Sequence, residues 1–327
     1  MFAFAVRKSR LAAVAALLSA FAMPVGAQTY PTKPIRLIVP FSPGGSADLI
    51  ARLVGQQISE AAGQQVLVDN RAGAGGNIGV EMVAKAAPDG YTLLIGHIGT
   101  FGVNPTLYPK LPFDPIRDFQ PVSLYTKLPN MLAVHPSLPV RTTKELIALA
   151  KKTPGQLNYG SAGNGSAAHL ATEYFKLLTK IQIEHIPYKG TGPAVIDLIA
   201  GQVSLMITGV PPLLAHVKAG KLRALGVASA QRIALLPDLP TLIEAGVPGY
   251  ETSQWHGVLA PAGTPRPIVD ALNAMLVKSL QRPAVKERLA SEAAEGVGST
   301  PEQFQEFIKS EIARWAPVVK ASGLRAE

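Results

Sequence analysis

The chain has 327 residues, 31 Lys+Arg against 22 Asp+Glu, and no cysteine, so disulfide frameworks and thiolate metal sites are excluded. Its cations are scattered, with no run longer than Lys151-Lys152, which argues against a nucleic-acid footprint. Length and composition fit two globular domains of roughly 150 residues each.

The first 27 residues read as a cleavable secretory signal peptide: Arg7, Lys8 and Arg10, an apolar run from Leu11 to Met23, and the small residues Val25-Gly26-Ala27. A membrane anchor is the competing reading, but the run falls short of the ~20 residues a spanning helix needs. The mature protein is therefore expected to be soluble and exported. Without Arg7, Lys8 and Arg10, the 31 basic and 22 acidic side chains leave a net charge of about +6, a field that mildly favours acidic small ligands.

Ile35 to Val39 is a buried-type strand, Pro43-Gly44-Gly45 breaks it, and Ile50, Leu53, Val54, Ile58 and Ala61 recur at helical spacing. Ser46 is the expected N-cap, and Asp48 in the first turn complements the dipole. Such a turn leaves N–H groups unpaired at the positive helix end, which suits an anion, although an ordinary strand-to-helix connection looks the same. Gln65 to Asp69 is a second strand, Asn70 to Asn77 a glycine-dense loop, Gly79 to Ala87 a helix and Tyr91 to Gly96 a third strand. This alternation predicts a parallel sheet whose carboxyl edge, with His97 and Thr100, faces a ligand crevice.

Asn104 to Gln120 reads as a packed loop, and Val122 to Thr126 and Met131 to His135 as two strands around Leu128-Pro129-Asn130. Thr142 to Glu145 is a capping box opening a helix to Lys152. Leu157 to Leu170 repeats the opening design: a strand, a turn carrying Ser161, Gly163, Asn164 and Gly165, then a helix capped by Ser166 with His169 in its first turn. Strands are expected at Gln182 to Ile186, Val203 to Ile207, Leu222 to Ala228 and Gln254 to Ala260. Pro193 is placed at the start of a helix to Ala200, and further helices at Leu213 to Lys218, Thr241 to Ala245, Pro267 to Gln281 and Pro283 to Ala290. A second capping box at Thr300 opens a terminal helix whose Phe304, Phe307, Ile308, Ile312 and Trp315 form a core-packing stripe. Trp255 serves either as hinge packing or as a cleft wall.

Enzyme motifs are weak. Gly163 to Ala168 matches G-x-G-x-x-A, but the opening turn lacks that pattern and an exported protein has little access to nicotinamide cofactors. Neither a G-x-x-x-x-G-K-[ST] loop nor a G-x-S-x-G elbow is present, and the six histidines show no metal-ligand spacing. Ser161 with His169 is the one nucleophile and base pair available to an exported hydrolase.

Taken together, Pro34 to Asp48, Asn70 to Gly79, Pro88 to Leu94, Tyr159 to Ser166, Pro187 to Gly190, Leu236 to Thr241 and Ala260 to Pro265 resemble the Bug receptor family, the substrate-binding proteins of tripartite tricarboxylate transporters. The resemblance runs in order along nearly the whole mature chain. It implies an α/β fold, a type II-like periplasmic binding protein of two α/β domains around a ligand cleft joined by two crossing strands. Domain 1 would hold residues 28–127 and 254–327, and domain 2 residues 128–253. One ligand carboxylate is expected at Ser161, Gly163, Asn164, Gly165 and Ser166 with His169 nearby. Phe41, Ser42, Gly44, Gly45, Ser46 and Ala47 face the ligand from domain 1, with His97, Thr100, Tyr188 and Thr208 completing the site. Many relatives carry Phe-Asp where this chain has Ile207-Thr208, so an amino group on the ligand loses a partner and a plain mono- or dicarboxylate is expected. The implied protein is a monomer in the periplasm, without cofactor or metal, that delivers its ligand to membrane transporter subunits; a sensor feeding a membrane signalling partner reads identically.

Overall fold

A computed structural model describes residues 30–324 and 326; the signal-peptide expectation for residues 1–27 lies outside them. The compact unit begins at Lys33. Its first half is built from the predicted strand–helix alternation. β1 (Ile35–Val39) lies between β2 (Val66–Asn70) and β3 (Thr92–His97), both parallel to it. Helix α1 (Ser46–Ala62) follows β1, ends on Gly63 in the left-handed conformation, and buries Ile50, Val54 and Ile58. Helix α2 (Asn77–Ala84) follows the glycine loop.

The predicted pair of strands around Leu128-Pro129-Asn130 is instead one strand, β4 (Phe119–Val134), 16 residues long. Proline lacks an N–H donor and reads as a break, yet the strand runs through Pro129, whose carbonyl accepts from Val210. β4 is shared between the two halves of the sheet. Its front pairs antiparallel with β9 (Ser253–Pro261) through Pro129, and its back pairs with β7 (Leu205–Gly209) and β8 (Arg223–Val227). The sheet runs β2-β1-β3-β9-β4-β7-β5-β6, with β5 (Asn158–Ser161) and β6 (Glu184–Pro187) at the far edge and β10 (Glu295–Gly296) beside β4.

Helices cover both halves. In the order of the chain they are α3 (Asn104–Leu107), α4 (Thr143–Lys152), α5 (Ala167–Thr179), α6 (Thr191–Ile199), α7 (Pro211–Lys218), α8 (Arg266–Ser279), α9 (Pro283–Ser291) and α10 (Pro301–Ser322). The expected loop from Asn104 therefore begins as a helical turn, and the helix expected at Thr241 to Ala245 is a series of turns. Helix α6 starts two residues before Pro193. One apolar cluster draws on both chain ends, joining Ile38, Val80 and Leu94 to Trp255, Phe304 and Trp315; another packs Leu132, Tyr159, Phe175 and Tyr250. Trp255 takes the packing role. Its ring is 5.7 Å from Phe304 and its Nε1–H donates to Glu311 at 2.9 Å.

Both capping boxes form. Thr300 Oγ1 accepts the Gln303 N–H at 3.2 Å, and the Gln303 side chain accepts the Thr300 N–H at 3.0 Å. Thr300→Ala is expected to lower unfolding free energy by about 1 kcal/mol in urea titrations.

Candidate functional site

The N-terminal ends of three helices meet between the halves of the sheet. Gly45, Ser46 and Ala47 come from α1, Ala167 and Ala168 from α5, and Thr191 from α6. Phe41, His97, Ala162, Thr208 and Gln254 complete the lining, so among the described residues no charged side chain faces the space. The first N–H groups of each helix have no intrahelical acceptor, and the dipole end is positive. An anion entering here meets oriented backbone donors in an apolar surround, where they act more strongly than in water. Larger depressions exist, such as a 570 Å³ groove along Pro136, Leu222 and Leu235, but no helix N-terminus lines it.

Each wall has a local cause. In the first half, Ser46 is the first helical residue and Gly45 the N-cap, one position earlier than the sequence implied. Ser46 Oγ is consequently left over, buried and without a hydrogen-bond partner among the described residues. Asp48 does what its first-turn position implied, accepting the Gly44 N–H at 3.1 Å while Arg52 and Asn70 hold its oxygens. In the second half, Ser166 caps α5 by accepting the His169 N–H at 3.3 Å, as expected. Gly163 at φ +112 and Gly165 at φ +79 carry the turn in the left-handed region.

That turn rests on two imidazoles. His169 Nδ1 accepts the Gly165 N–H at 3.1 Å, and His185 Nε2 lies 2.6 Å from Ser161 Oγ. The rings stack with centroids 4.0 Å apart, and Tyr159 stacks on His185 at 4.8 Å. Burial, the neighbouring His185 and Lys176 push His169 down to about 3; burial and Lys176 push His185 down to about 4. Both are neutral near pH 7. Ser161 and His169 do not pair as a nucleophile and base would, since Ser161 Oγ is fully buried and bonded to His185.

The remaining predicted residues divide into three sets. Gly163, Asn164 and Tyr188 line a separate depression with Gly75, Tyr108 and Lys189, which shares Ala162 with the inner space. Thr100 lies behind His97, whose carbonyl it bonds at 3.1 Å. Ser42 and Gly44 contact the opposite wall directly: Ser42 N–H and Oγ–H both donate to the Lys189 carbonyl, at 3.2 and 3.0 Å, and Gly44 lies against Gly192. With the walls this close, the inner space is about 10 Å³, the size of one water. Thr191 and Gln254 were not among the predicted site residues. Thr191 follows Gly190 at a helix start, a signal available in the sequence; Gln254 offers none, since its partners lie on other strands.

The model of the tripartite tricarboxylate transporter family receptor matches residues 50–324. The chain belongs to this family. It is also 43% identical over 321 residues to protein BugT of Bordetella pertussis, covering 97% of this chain and 98% of that one. Among solved structures, R. palustris Rpa4515 with adipate superposes with a TM-score of 0.88 at 42% identity, covering 90% of this chain and 99% of that one. MatC (Rpa3494) from Rhodopseudomonas palustris with bound malate gives 0.86 at 35% identity, covering 89% and all of that chain, 100%. The receptor is thus a binding protein of the periplasmic type rather than an enzyme, with the mixed α/β fold the sequence implied. Among the described residues no helix is long and apolar enough to cross a membrane.

Proposed function

We propose that this receptor is exported to the periplasm, captures a small carboxylate between residues 28–127 with 254–327 on one side and 128–253 on the other, and hands it as a monomer to the membrane subunits of a tripartite tricarboxylate transporter. The ligand is a mono- or dicarboxylate, aliphatic or aromatic, without an amino group. The observation that carries this reading is the convergence of the α1, α5 and α6 N-termini on an apolar space lined by no charged side chain. Helix dipoles and hydroxyls bind an anion there with no fixed cation. Adipate and malate in the two R. palustris relatives support the ligand class. Entry and release require the walls to part, with β4 and the start of β9 as the strands about which they turn.

A thermal-shift screen over carboxylates tests it, because a ligand at a hundred times its Kd adds about 2.7 kcal/mol to the folded state. Calorimetry on the best hit then compares wild type with Ser166→Ala/His169→Ala, which removes the helix cap and the acceptor for the Gly165 N–H. Affinity is expected to fall about tenfold, or ~1.4 kcal/mol, with an unchanged circular-dichroism spectrum. Unchanged affinity would move the carboxylate away from α5.

A further inference from the structure

Gln254 sits at the base of the site with 4% of its surface exposed, on the strand that joins the halves, and it links side chains from both. The polarity of its hydrogen bonds is fixed by one unambiguous donor. The backbone N–H of Gly99 donates to His97 Nδ1 at 3.1 Å, so that nitrogen carries no proton. Burial holds His97 at about 4 and so neutral at pH 7, and the Gln254 side chain facing its other ring nitrogen, left as the donor, opposes that shift as a carboxamide oxygen does. The carboxamide oxygen is therefore the acceptor there, and its nitrogen must point away. Gln254 Nε2 accordingly donates to Asn130 Oδ1 at 3.0 Å and to Thr208 Oγ1 at 3.3 Å. Asn130 passes the polarity on, donating through Nδ2 to Thr252 Oγ1 at 3.0 Å.

The acceptors along this chain, His97 Nδ1, Gln254 Oε1 and Asn130 Oδ1, are each taken by an internal donor. Thr208 Oγ1 receives a proton from Gln254 and keeps its own hydroxyl proton uncommitted. It stands beside the unpartnered hydroxyl of Ser46, whose oxygen a side chain at Gly209 would overlap. The base of the site thus offers hydroxyl protons to a ligand, and the lone pairs it has left are those of the Ser46 and Thr208 hydroxyls. An alkyl ammonium, which only donates, finds no free amide or imidazole acceptor there, and desolvating it without one is costly. A hydroxyl, carbonyl or carboxylate oxygen in the same place accepts.

We propose that Gln254 is a specificity-determining residue: by orienting the cleft floor as a set of donors, it makes the receptor select ligands with an oxygen at their inner end and reject those with an ammonium group. This rests on the carboxylate reading above. It adds the residue responsible, and it makes the missing acid at position 208 only half of the cause.

Matched acids that differ at one group provide the test: malate against aspartate, adipate against 2-aminoadipate, and phenylacetate against phenylglycine, by calorimetry at pH 7.5. Wild type is expected to prefer at least one plain acid over its amino partner by tenfold or more. Gln254→Glu replaces the donor with a second acceptor, and Gln254→Met, close to it in volume, removes the amide and frees Asn130 Oδ1 and Thr208 Oγ1. Each is expected to reduce that preference at least tenfold, whereas a purely structural role would weaken both partners together. Where one variant fails to fold by circular dichroism, the other decides. A preference that stays within threefold of wild type in the folded variant overturns the role of Gln254 and leaves the carboxylate reading standing. Wild type that binds none of the plain acids overturns the carboxylate reading itself, and the proposal with it.

Discussion

Gly192→Ala is expected to weaken ligand binding on the order of 100-fold while leaving the melting temperature unchanged or slightly raised. Gly192 is the second residue of α6 and has no left-handed backbone requirement, so alanine suits the helix better than glycine by roughly 0.5–1 kcal/mol. The cost falls between the halves. A Cβ at Gly192 would overlap the Pro43 carbonyl oxygen, and neighbouring contacts leave no slack, since a Cβ at Gly190 would lie 2.8 Å from Ser42 and one at Gly45 3.1 Å from Thr191. Backing off by about an ångström breaks the paired donation of Ser42 to the Lys189 carbonyl. A factor of 100 corresponds to about 2.7 kcal/mol, which two hydrogen bonds and a close-packed contact supply. Calorimetry gives the affinity and small-angle scattering the separation of the halves. Wild-type affinity in a folded Gly192→Ala protein would show that tight closure is not needed for capture.

Acid is expected to destabilise the receptor steeply between about pH 6.5 and pH 4. Three buried histidines and the half-buried His185 fold in the neutral form. Burial holds His97 at about 4, with the neighbouring Gln254 side chain opposing, and holds His256 well below 6.5, with His97 adding to the effect. His169 is held at about 3 and His185 at about 4. In the unfolded chain each titrates near 6.5, so between these values the unfolded state binds more protons and stability rises with pH. The stabilising contribution is complete above about pH 6.5, is lost as pH falls, and levels off beneath the folded values. For His97 alone this is on the order of 3 kcal/mol, and His169 adds a similar amount. Urea denaturation at pH 7.5, 5.5 and 4.5 measures it. His97→Gln should flatten part of the slope; a stability curve flat from pH 7.5 to 4.5 would mean that the imidazoles reach solvent.

How far the sequence carried differs from element to element. The opening unit was legible because its cues are local: β-branched residues from Ile35 to Val39, a Pro-Gly-Gly break and a periodic helix. The N-cap falls one residue before Ser46, which has the right chemistry but whose hydroxyl makes no bond to its own helix. Pro129 and Asn130 look like a break between two strands, and only the partners on either side, β9 and then β7 and β8, make β4 continuous. The turn at Ser161 to Ser166 was recognisable from glycine spacing, whereas the stacked imidazole of His185 beneath it depends on parallel pairing of β5 with β6. Gln254 was hidden for the same reason. Its partners His97, Asn130 and Thr208 lie on three other strands, and no spacing along the chain brings them together.

The apolar cluster that joins Ile38 and Leu94 to Phe304 and Trp315 sets an order of events during folding. Residues almost the whole length of the chain apart must meet before the first half of the sheet is covered, and closing so long a loop is entropically costly. The second half has no such requirement, because Leu132, Phe175, Leu205 and Tyr250 all come from one continuous stretch. It can form while the C-terminal helix is still emerging, leaving the strands around β1 with an exposed apolar face until the last helix docks. A chain shortened before α10 would keep that face open and be prone to aggregation, although it retains nearly every residue of the site.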